Sequence, residues 1–302
     1  MNPGALEWIE RFRRYLTTER RLSAHTDASY AADLAALVAF CDRLPLADWP
    51  ALDSHHIRLF AARSHAAGLS PRSIQRRLSA WRSFFEFLAR ERVLKANPAQ
   101  EIRAPKAPRR LPGTLDADQM ARLLDVRVKD PLEARDHALM ELLYSSGLRL
   151  AELIGLDIPD VDLRDRTVRV LGKGRKTRIV PVGKQAVAAL ERWLRDRAGL
   201  VKADQTALFV GRNGRRIGPR AVQKRVAQWG RRQGLGVHVH PHLFRHSFAS
   251  HLLESSGELR GVQELLGHAD ISTTQIYTHL DFQHLARTYD ATHPRAKRKR
   301  SP

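Results

Sequence analysis

Four separated segments of the sequence carry a cationic or proton-transferring side chain beside a glycine or at a helix end. Arg149 follows a glycine break at the start of a predicted helix, and Lys173 stands between two glycines at the tip of a predicted hairpin. His242 and Arg245 are three residues apart, a spacing that places both on one face of a helical turn. The fourth segment, Leu266–Tyr277, adds a histidine and a tyrosine.

This fourth segment divides its two reactive side chains between a loop and a short helix. Gly267 ends one predicted helix, and Ser272 with Gln275 fits a capping box that begins the next. His268 therefore falls in the loop and Tyr277 on the second helix. Taken singly, such residues have ordinary structural explanations, because arginines usually face solvent, glycine-flanked lysines usually lie in turns and tyrosines are often half-buried.

Taken together, the two arginines, the lysine, the two histidines and the tyrosine suit the attack of a phenolic oxygen on a phosphodiester. The pentacoordinate transition state gains negative charge, which fixed cations and hydrogen-bond donors stabilise. Arg149 and Arg245 stay charged at any working pH and can each clamp phosphate oxygens with two hydrogen bonds. Lys173, on the hairpin tip, would protonate the departing 5′-oxygen.

The composition predicts a polyanionic partner. The 302 residues contain 52 Lys and Arg against 32 Asp and Glu, a formal net charge of +20, which exceeds what solubility requires. No run approaches the roughly 18 apolar residues of a membrane span, and the N-terminus lacks the basic and apolar regions of a secretion signal. Cys41, the single cysteine, cannot form an internal disulfide. We expect a cytoplasmic protein that binds nucleic acid and does not span a membrane.

The first hundred residues predict four amphipathic helices. The fourth begins at Ser70-Pro71, an N-cap followed by proline at the first helical position. Its apolar stripe consists of Ile74, Leu78, Trp81, Phe85 and Leu88. Its basic side consists of Arg72, Arg76, Arg77 and Arg82. We predict that these four arginines contact the DNA backbone; the alternative is a solvated face with no ligand.

A proline-rich basic stretch divides the sequence into two predicted domains. The predicted boundaries are 1–97 for a helical DNA-binding domain, 98–113 for the linker, 114–293 for the second domain and 294–302 for a basic tail. Residues 161–182 change from helical spacing to alternation, which predicts a small hairpin or three-stranded meander. Further helices are predicted at 132–146, 184–197, 219–233, 246–255 and 258–266. The predicted fold is mainly α with a small β-sheet.

The chemical motifs resemble those of the tyrosine recombinases, and the resemblance covers nearly the whole chain. The motifs are Gly-Leu-Arg149-Leu-Ala-Glu-Leu, Gly-Lys173-Gly, His242-Leu-Phe-Arg245-His, Leu-Gly-His268 and Tyr277. The resemblance implies that Tyr277 is the nucleophile, forming a 3′-phosphotyrosyl bond and freeing a 5′-hydroxyl. It implies that Arg149, Lys173, His242, Arg245 and His268 complete the active site. The family fold is a two-domain, C-shaped DNA clamp, with a SAM-like core-binding domain and a catalytic domain.

The resemblance also carries expectations about function and partners. The segment Leu253–Leu285 resembles in particular the bacterial recombinases that resolve chromosome dimers at cell division. This implies action on two double-stranded DNA sites, in a heterotetramer with a partner recombinase of the XerD type, under control of a septum-located DNA translocase. Asp281–His293 would dock on a neighbouring subunit. No metal and no other cofactor is expected, because a phosphotyrosyl bond conserves the energy of the broken phosphodiester.

Three other readings remain open from the residues. A metal-dependent nuclease is suggested by Val237–His242, in which three histidines alternate onto one face if the segment is a strand. A protein that only binds DNA would satisfy the charge but would leave the Lys173 hairpin and the His268–Tyr277 segment unexplained. Within the same chemistry, a phage-type or XerD-like integrase or a type IB topoisomerase is the nearest alternative.

Overall fold

The computed structural model describes residues 1–20, 22, 24–106, 113–172, 177–202 and 204–256. The chain divides into two units, Met1–Arg110 and Leu111–Pro302, each with its own hydrophobic core. Among the described residues, no helix combines the length and the apolar character that crossing a membrane requires. The predicted helix at 258–266 and the predicted basic tail lie outside the described residues.

The described residues of the first unit form four helices, as the apolar spacing predicts. They are α1 (Pro3–Thr18), α2 (Ala24–Cys41), α3 (Ser54–Ala66) and α4 (Pro71–Arg90), with a 3₁₀ turn at Trp49–Ala51. The α4 N-terminus has the predicted form: the Ser70 side chain accepts a hydrogen bond from the backbone N–H of Ser73, and Pro71 occupies the first helical position. These local signals therefore set the helix start correctly.

The core of the first unit is built on α4. All five residues of its predicted apolar stripe are fully buried. Aromatic rings from other elements pack on this helix, as in the pairs Phe12–Phe84 at 5.3 Å, Trp49–Phe84 at 5.0 Å and Phe60–Trp81 at 4.3 Å between ring centroids. The Trp81 indole N–H donates to the Asp33 carbonyl oxygen at 2.8 Å, which leaves no buried indole donor unpaired there.

The first unit continues past Asn97, the predicted end of the first domain. Ala99 and Ile102 are buried in the same core as α4. Arg82 holds this segment, because its Nε donates to the Ala99 carbonyl oxygen at 3.0 Å and its Nη2 donates to the Ile102 carbonyl oxygen. The proline-rich basic stretch that predicts the linker therefore begins within the part of the chain that still packs in the core of the first unit.

In the part of the second unit that the structure describes, five helices surround a central one. The helices are α5 (Ala117–Leu124), α6 (Pro131–Ser146), α7 (Leu150–Gly155), α8 (Lys184–Arg197), α9 (Pro219–Arg232) and α10 (Pro241–Ser256). The central helix is α6, on which 13 of 16 residues are buried. It is in contact with the other five helices. Its charged residues are paired inside the unit, as in the Arg232–Glu133 ion pair at 2.8 Å.

A three-stranded antiparallel sheet follows α7, as the alternation predicts. Its strands are β1 (Val161–Asp162), β2 (Thr167–Leu171) and β3 (Thr177–Pro181), in the order β1-β2-β3. Val168 pairs with Val180 and Val170 with Arg178, so these residues share the inward face. Ser146 at the end of α6 donates its hydroxyl to the Pro181 carbonyl oxygen at 2.8 Å, which ties the sheet to the central helix.

The helix α10 begins earlier than predicted. Its first residue is Pro241, whereas the sequence spacing predicts a start at His246. Proline favours the first helical position because its missing N–H is not needed there. His240 completes the turn, since its carbonyl oxygen accepts the Leu243 N–H at 2.9 Å and its ring Nδ1 lies 3.2 Å from the same nitrogen. His242 and Arg245 are therefore helical residues.

Candidate active site

Arg149 lies at the turn between α6 and α7. Gly147 ends α6 in the left-handed conformation, with φ of 56°, which glycine adopts without strain. Arg149 is the N-cap of α7. Its backbone N–H donates to Glu152 Oε2 at 2.8 Å, and its Nη1 donates to Glu152 Oε1 at 3.0 Å. The turn thus fixes where the Arg149 guanidinium can point.

Arg245 reaches the same turn from α10. Its Nη1 donates to the Gly147 carbonyl oxygen at 2.6 Å, and the residue is buried with 9% of its surface exposed. Burial lowers the pKa of Arg245 to about 10, with the like charges of Arg149 and Arg178 adding to the decrease and Glu152 opposing it. The guanidinium therefore remains charged at neutral pH despite its burial.

Glu152 supplies a carboxylate to these arginines, and its side chain is 4% exposed. It accepts two hydrogen bonds from Arg149 and two more from Arg178 of β3, whose Nη1 and Nη2 lie 2.9 Å and 3.0 Å from Oε1 and Oε2. Burial acts to raise the pKa of Glu152, but the hydrogen bonds from Arg178 and Arg149 outweigh it and hold the pKa below its ordinary value. The carboxylate stays ionised at neutral pH.

The cluster of Arg149, Glu152, Arg178 and Arg245 contains three guanidiniums and one carboxylate, so these four side chains together carry a net positive charge. The Arg149 side chain is 38% exposed, so the cluster opens to solvent at that residue. A partly buried cationic site with a fixed geometry is suited to a phosphodiester, whose oxygens accept hydrogen bonds from arginine in a fork-like arrangement. Such a site stabilises added negative charge without rearranging during the reaction.

The structure brings together two of the six predicted catalytic residues and places a third nearby in the chain. Arg149 and Arg245 meet at Gly147, and His242 lies one turn before Arg245 on α10 with its side chain exposed. Lys173, His268 and Tyr277 lie outside the described residues. The predicted helical spacing of His242 and Arg245 is confirmed.

Two residues of the cluster were missed by the sequence analysis. Glu152 carries a recognisable signal, because a glutamate three positions after an N-cap commonly bonds back to the cap N–H. Arg178 also carries one: alternation places it on the same face of β3 as Val180, which is fully buried. A charged residue on an inward strand face requires a buried partner.

Three of the four arginines predicted to contact DNA make contacts within the first unit. Arg76 forms a hydrogen-bonded ion pair with Asp33, whose side chain is 2% exposed, and Arg77 Nε lies 3.8 Å from the same carboxylate. Arg82 donates to the carbonyl oxygens of the segment after α4. Arg72, on the first turn of α4, is exposed. Their contacts with DNA remain a prediction.

Replacing Arg82 with alanine is expected to lower the free energy of unfolding by about 1–3 kcal/mol, because the carbonyl oxygens of Ala99 and Ile102 lose a charged donor in part-buried hydrogen bonds. The matched change Arg72→Ala removes an exposed arginine from the same helix and should alter stability by less than about 0.5 kcal/mol. Urea unfolding of the full chain, followed by circular dichroism, measures both. Equal midpoints for the two variants would show that Arg82 does not hold the segment.

The geometry at the histidines differs from the one the nuclease reading requires. Residues 238–240 form no strand and Pro241 begins α10, so the three histidines do not alternate on one strand face. The ring centroids of His238 and His240 are 6.0 Å apart, and those of His240 and His242 are 6.4 Å apart. Within the described part of the chain, no group of three or more His, Cys, Asp or Glu side chains is placed to hold a metal ion.

Two family matches cover most of the chain. Residues 9–92 match the phage integrase N-terminal SAM-like domain, and residues 113–284 match the phage integrase family. The chain is 56% identical over 290 residues to tyrosine recombinase XerC of Salmonella typhi, with 96% of each chain covered. It is 55% identical over 290 residues to tyrosine recombinase XerC of Shigella flexneri, with 96% of this chain and 97% of the relative covered.

Solved structures of low sequence identity share the fold. The XerH site-specific recombinase bound to a palindromic difH substrate, in a post-cleavage complex, superimposes with a TM-score of 0.74 at 22% identity and 96% coverage of both chains. A lambda integrase dimer bound to a COC′ core site gives a TM-score of 0.69 at 18% identity, covering 92% of this chain and 98% of that one. At these identities the likeness supports the fold.

Proposed function

Because the chain belongs to the phage integrase family of tyrosine recombinases, we propose that Tyr277 is the nucleophile with which it breaks and rejoins DNA. Site-specific recombination of the XerC type is the activity of this chain. The observation that carries the residue assignment is the positively charged cluster in which Arg149 and Arg245 meet at one turn. A pair of fixed guanidiniums at one point is what a phosphodiester needs when it gains charge.

In the proposed reaction, the Tyr277 oxygen loses its phenolic proton to solvent and attacks the scissile phosphorus, and the bond from phosphorus to the 5′-oxygen breaks. Arg149 and Arg245 hold the non-bridging oxygens, and His242 and His268 donate hydrogen bonds to them. Lys173 supplies the proton to the departing 5′-oxygen. The reverse reaction, with a 5′-hydroxyl from the other duplex, breaks the phosphotyrosyl bond and restores a phosphodiester. One ester replaces another in each step, so strand exchange needs no ATP.

The biological setting is proposed from the relatives. Tyrosine recombinases named XerC are 55–56% identical to this chain over nearly its whole length, which favours resolution of chromosome dimers at cell division. We propose action on two recombination sites in a heterotetramer with a XerD-type partner, under a septal DNA translocase, in the cytoplasm. The proposed organisation is a DNA-binding domain at 1–97, a linker at 98–113 whose Ala99 and Ile102 pack in the core of that domain, a catalytic domain at 114–293 and a basic tail at 294–302.

The proposal is tested with nicked suicide duplexes that carry candidate chromosomal sites, incubated with the full chain in EDTA. The nick lets the short fragment behind the cleaved bond diffuse away, so the covalent intermediate accumulates. We expect a protein–DNA band that survives denaturing electrophoresis, with the DNA adduct on the peptide that contains Tyr277. A matched duplex without the nick should give much less of it. Cleavage that appears only after zinc or magnesium is added, with no covalent band, would instead favour the histidine nuclease.

The requirement for a second recombinase distinguishes a XerC-type subunit from a phage-type integrase. A XerC-type subunit is expected to recombine two sites only when a XerD-type recombinase is present, although it forms the covalent complex by itself. A phage-type integrase would complete recombination between its own sites with no such partner. The recombination assay therefore uses one plasmid with two sites, with and without a XerD-type protein.

A further inference from the structure

We propose that Arg178 is a positioning residue of the DNA-cleavage site, which locks Glu152 and, through Glu152, the guanidinium of Arg149. The proposal rests on the function assigned above, because it gives Arg178 its role in that reaction. Arg178 makes a bidentate contact with Glu152 from a different element of the fold: Glu152 belongs to α7 and Arg178 to β3. The pair therefore joins the sheet to the helix that Arg149 begins.

The hydrogen bonds at Glu152 show why Arg178 controls Arg149. Each carboxylate oxygen accepts one bond from each arginine: Oε1 from Arg149 Nη1 and Arg178 Nη1, and Oε2 from the Arg149 backbone N–H and Arg178 Nη2. Rotation of the carboxylate would break bonds to both arginines. With Arg178 removed, the Glu152 carboxylate, which is 4% exposed, keeps only half of these donors. Its orientation is then less firmly fixed, and so is the orientation of Arg149.

The exposed fractions of the Arg149 and Arg178 side chains indicate different roles for the two residues. The Arg149 side chain is 38% exposed and the Arg178 side chain is 20% exposed. Both Nη atoms of Arg178 point at Glu152. Arg149 is therefore the guanidinium accessible to a phosphate, and Arg178 acts on Arg149 through Glu152. This geometry is that of a supporting residue whose loss misplaces a catalytic group.

Arg178 also fixes the strand that leads from the predicted general acid. Lys173 lies in sequence between Leu171 and Thr177, which are paired across β2 and β3. Arg178 is the next residue after Thr177, and its bonds to Glu152 anchor the start of β3 to α7. One contact therefore sets the position of Arg149 and of the paired ends of β2 and β3, Leu171 and Thr177.

The test is the single-turnover rate of covalent-complex formation on the nicked duplex, with DNA affinity measured in parallel. We expect Arg178→Ala to lower this rate by about 10- to 100-fold, the usual cost of losing a supporting partner, with little change in DNA affinity. The matched control is Arg169→Ala, on the neighbouring strand β2, whose side chain is 59% exposed and pairs with Asp160 at 3.2 Å. An exposed pair contributes little, so this variant should react like the wild type.

Two further readouts distinguish positioning from a general structural defect. In Arg178→Ala, Glu152 still faces Arg149 on α7 and Arg245 on α10. It loses the two hydrogen bonds from Arg178, which oppose the effect of burial, so the pKa of Glu152 is higher in this variant than in the wild type. The protonated carboxyl cannot hold Arg149, so the rate of this variant should rise as the pH is raised, relative to the wild type. Glu152→Gln cannot titrate. The double variant Arg178→Ala, Glu152→Gln should lack this pH-dependent rise and be no slower than the slower single variant.

Each result decides between the proposals. Equal rates for wild type and Arg178→Ala, or fully multiplicative effects in the double variant, overturn the role of Arg178 and leave the recombinase function intact. A wild-type chain that forms no covalent complex on any site overturns the function and this role with it. If Arg178→Ala does not unfold cooperatively, Arg178→Lys keeps the charge but not the fork. An intermediate rate with a smaller pH-dependent rise than in Arg178→Ala supports positioning, and a wild-type rate overturns it.

Discussion

Replacing Tyr277 with phenylalanine is expected to abolish the covalent protein–DNA complex and all recombination. The phenolic oxygen is the atom that bonds to phosphorus in the proposed reaction, and phenylalanine removes only that oxygen. The remaining cations can stabilise a transition state, but no other nucleophile is placed to start it by this assignment. Denaturing electrophoresis of wild type and variant on the nicked duplex measures the loss directly.

The control for this variant is Tyr289→Phe, which removes a phenolic oxygen from the same C-terminal part of the sequence. It should retain the covalent complex, and both variants should bind the duplex as the wild type does in a mobility-shift assay. A covalent band that persists in Tyr277→Phe would place the nucleophile elsewhere. A covalent band lost in both variants would show that the region, and not one oxygen, is required.

Replacing Arg245 with lysine is expected to lower the rate of covalent cleavage by about 10²- to 10³-fold, the usual loss when one fixed donor to a developing negative charge is removed. Lysine keeps a positive charge but has no planar fork, so it cannot bond the Gly147 carbonyl oxygen and a phosphate oxygen in the same geometry. The single-turnover rate on the nicked duplex measures the effect. Arg231→Lys, at an exposed position on α9, should leave the rate within about twofold of wild type.

The residual activity of Arg245→Lys should depend on pH in a defined direction. Burial already lowers the pKa of Arg245 to about 10, and lysine begins from a lower ordinary pKa than arginine. The same burial, beside the charges of Arg149 and Arg178, brings the lysine closer to neutral pH. Its charge is therefore lost as the pH rises, and the variant should slow above neutral pH where wild-type Arg245 stays protonated. A rate that falls in parallel for both proteins would exclude this cause.

Most of the helical framework could be predicted from the sequence because its signals are local. Ser70 and Pro71 at the start of α4 and Gly147 at the end of α6 each act within one helical turn. The apolar alternation in residues 161–182 likewise predicted a hairpin or a three-stranded meander, and the structure has three strands there. The predicted start of α10 at His246 is wrong, because the helix begins at Pro241. The alternating histidines before Pro241 are also compatible with a strand, so the local pattern does not locate the helix start.

The packing of distant segments was not predictable in the same way. Arg82 belongs to the basic side of α4 by its spacing, and only the folded unit shows that it holds Ala99 and Ile102. The same holds for Arg76, which pairs with Asp33 from α2. A helical pattern tells which side of a helix a residue occupies. It does not tell what other element covers that side.

The sequence by itself determined which groups are available for the chemistry: the arginines, the histidines, the lysine and the tyrosine, their order and the family they indicate. It also determined that Arg149 follows a glycine turn and that His242 and Arg245 share a helical turn. Only the tertiary structure decided that Arg245 reaches the carbonyl oxygen of Gly147 and that Glu152 is shared by Arg149 and Arg178. Those contacts join α6, α7, β3 and α10. Periodicity and capping act within a few residues, whereas contacts between elements depend on how the whole core packs.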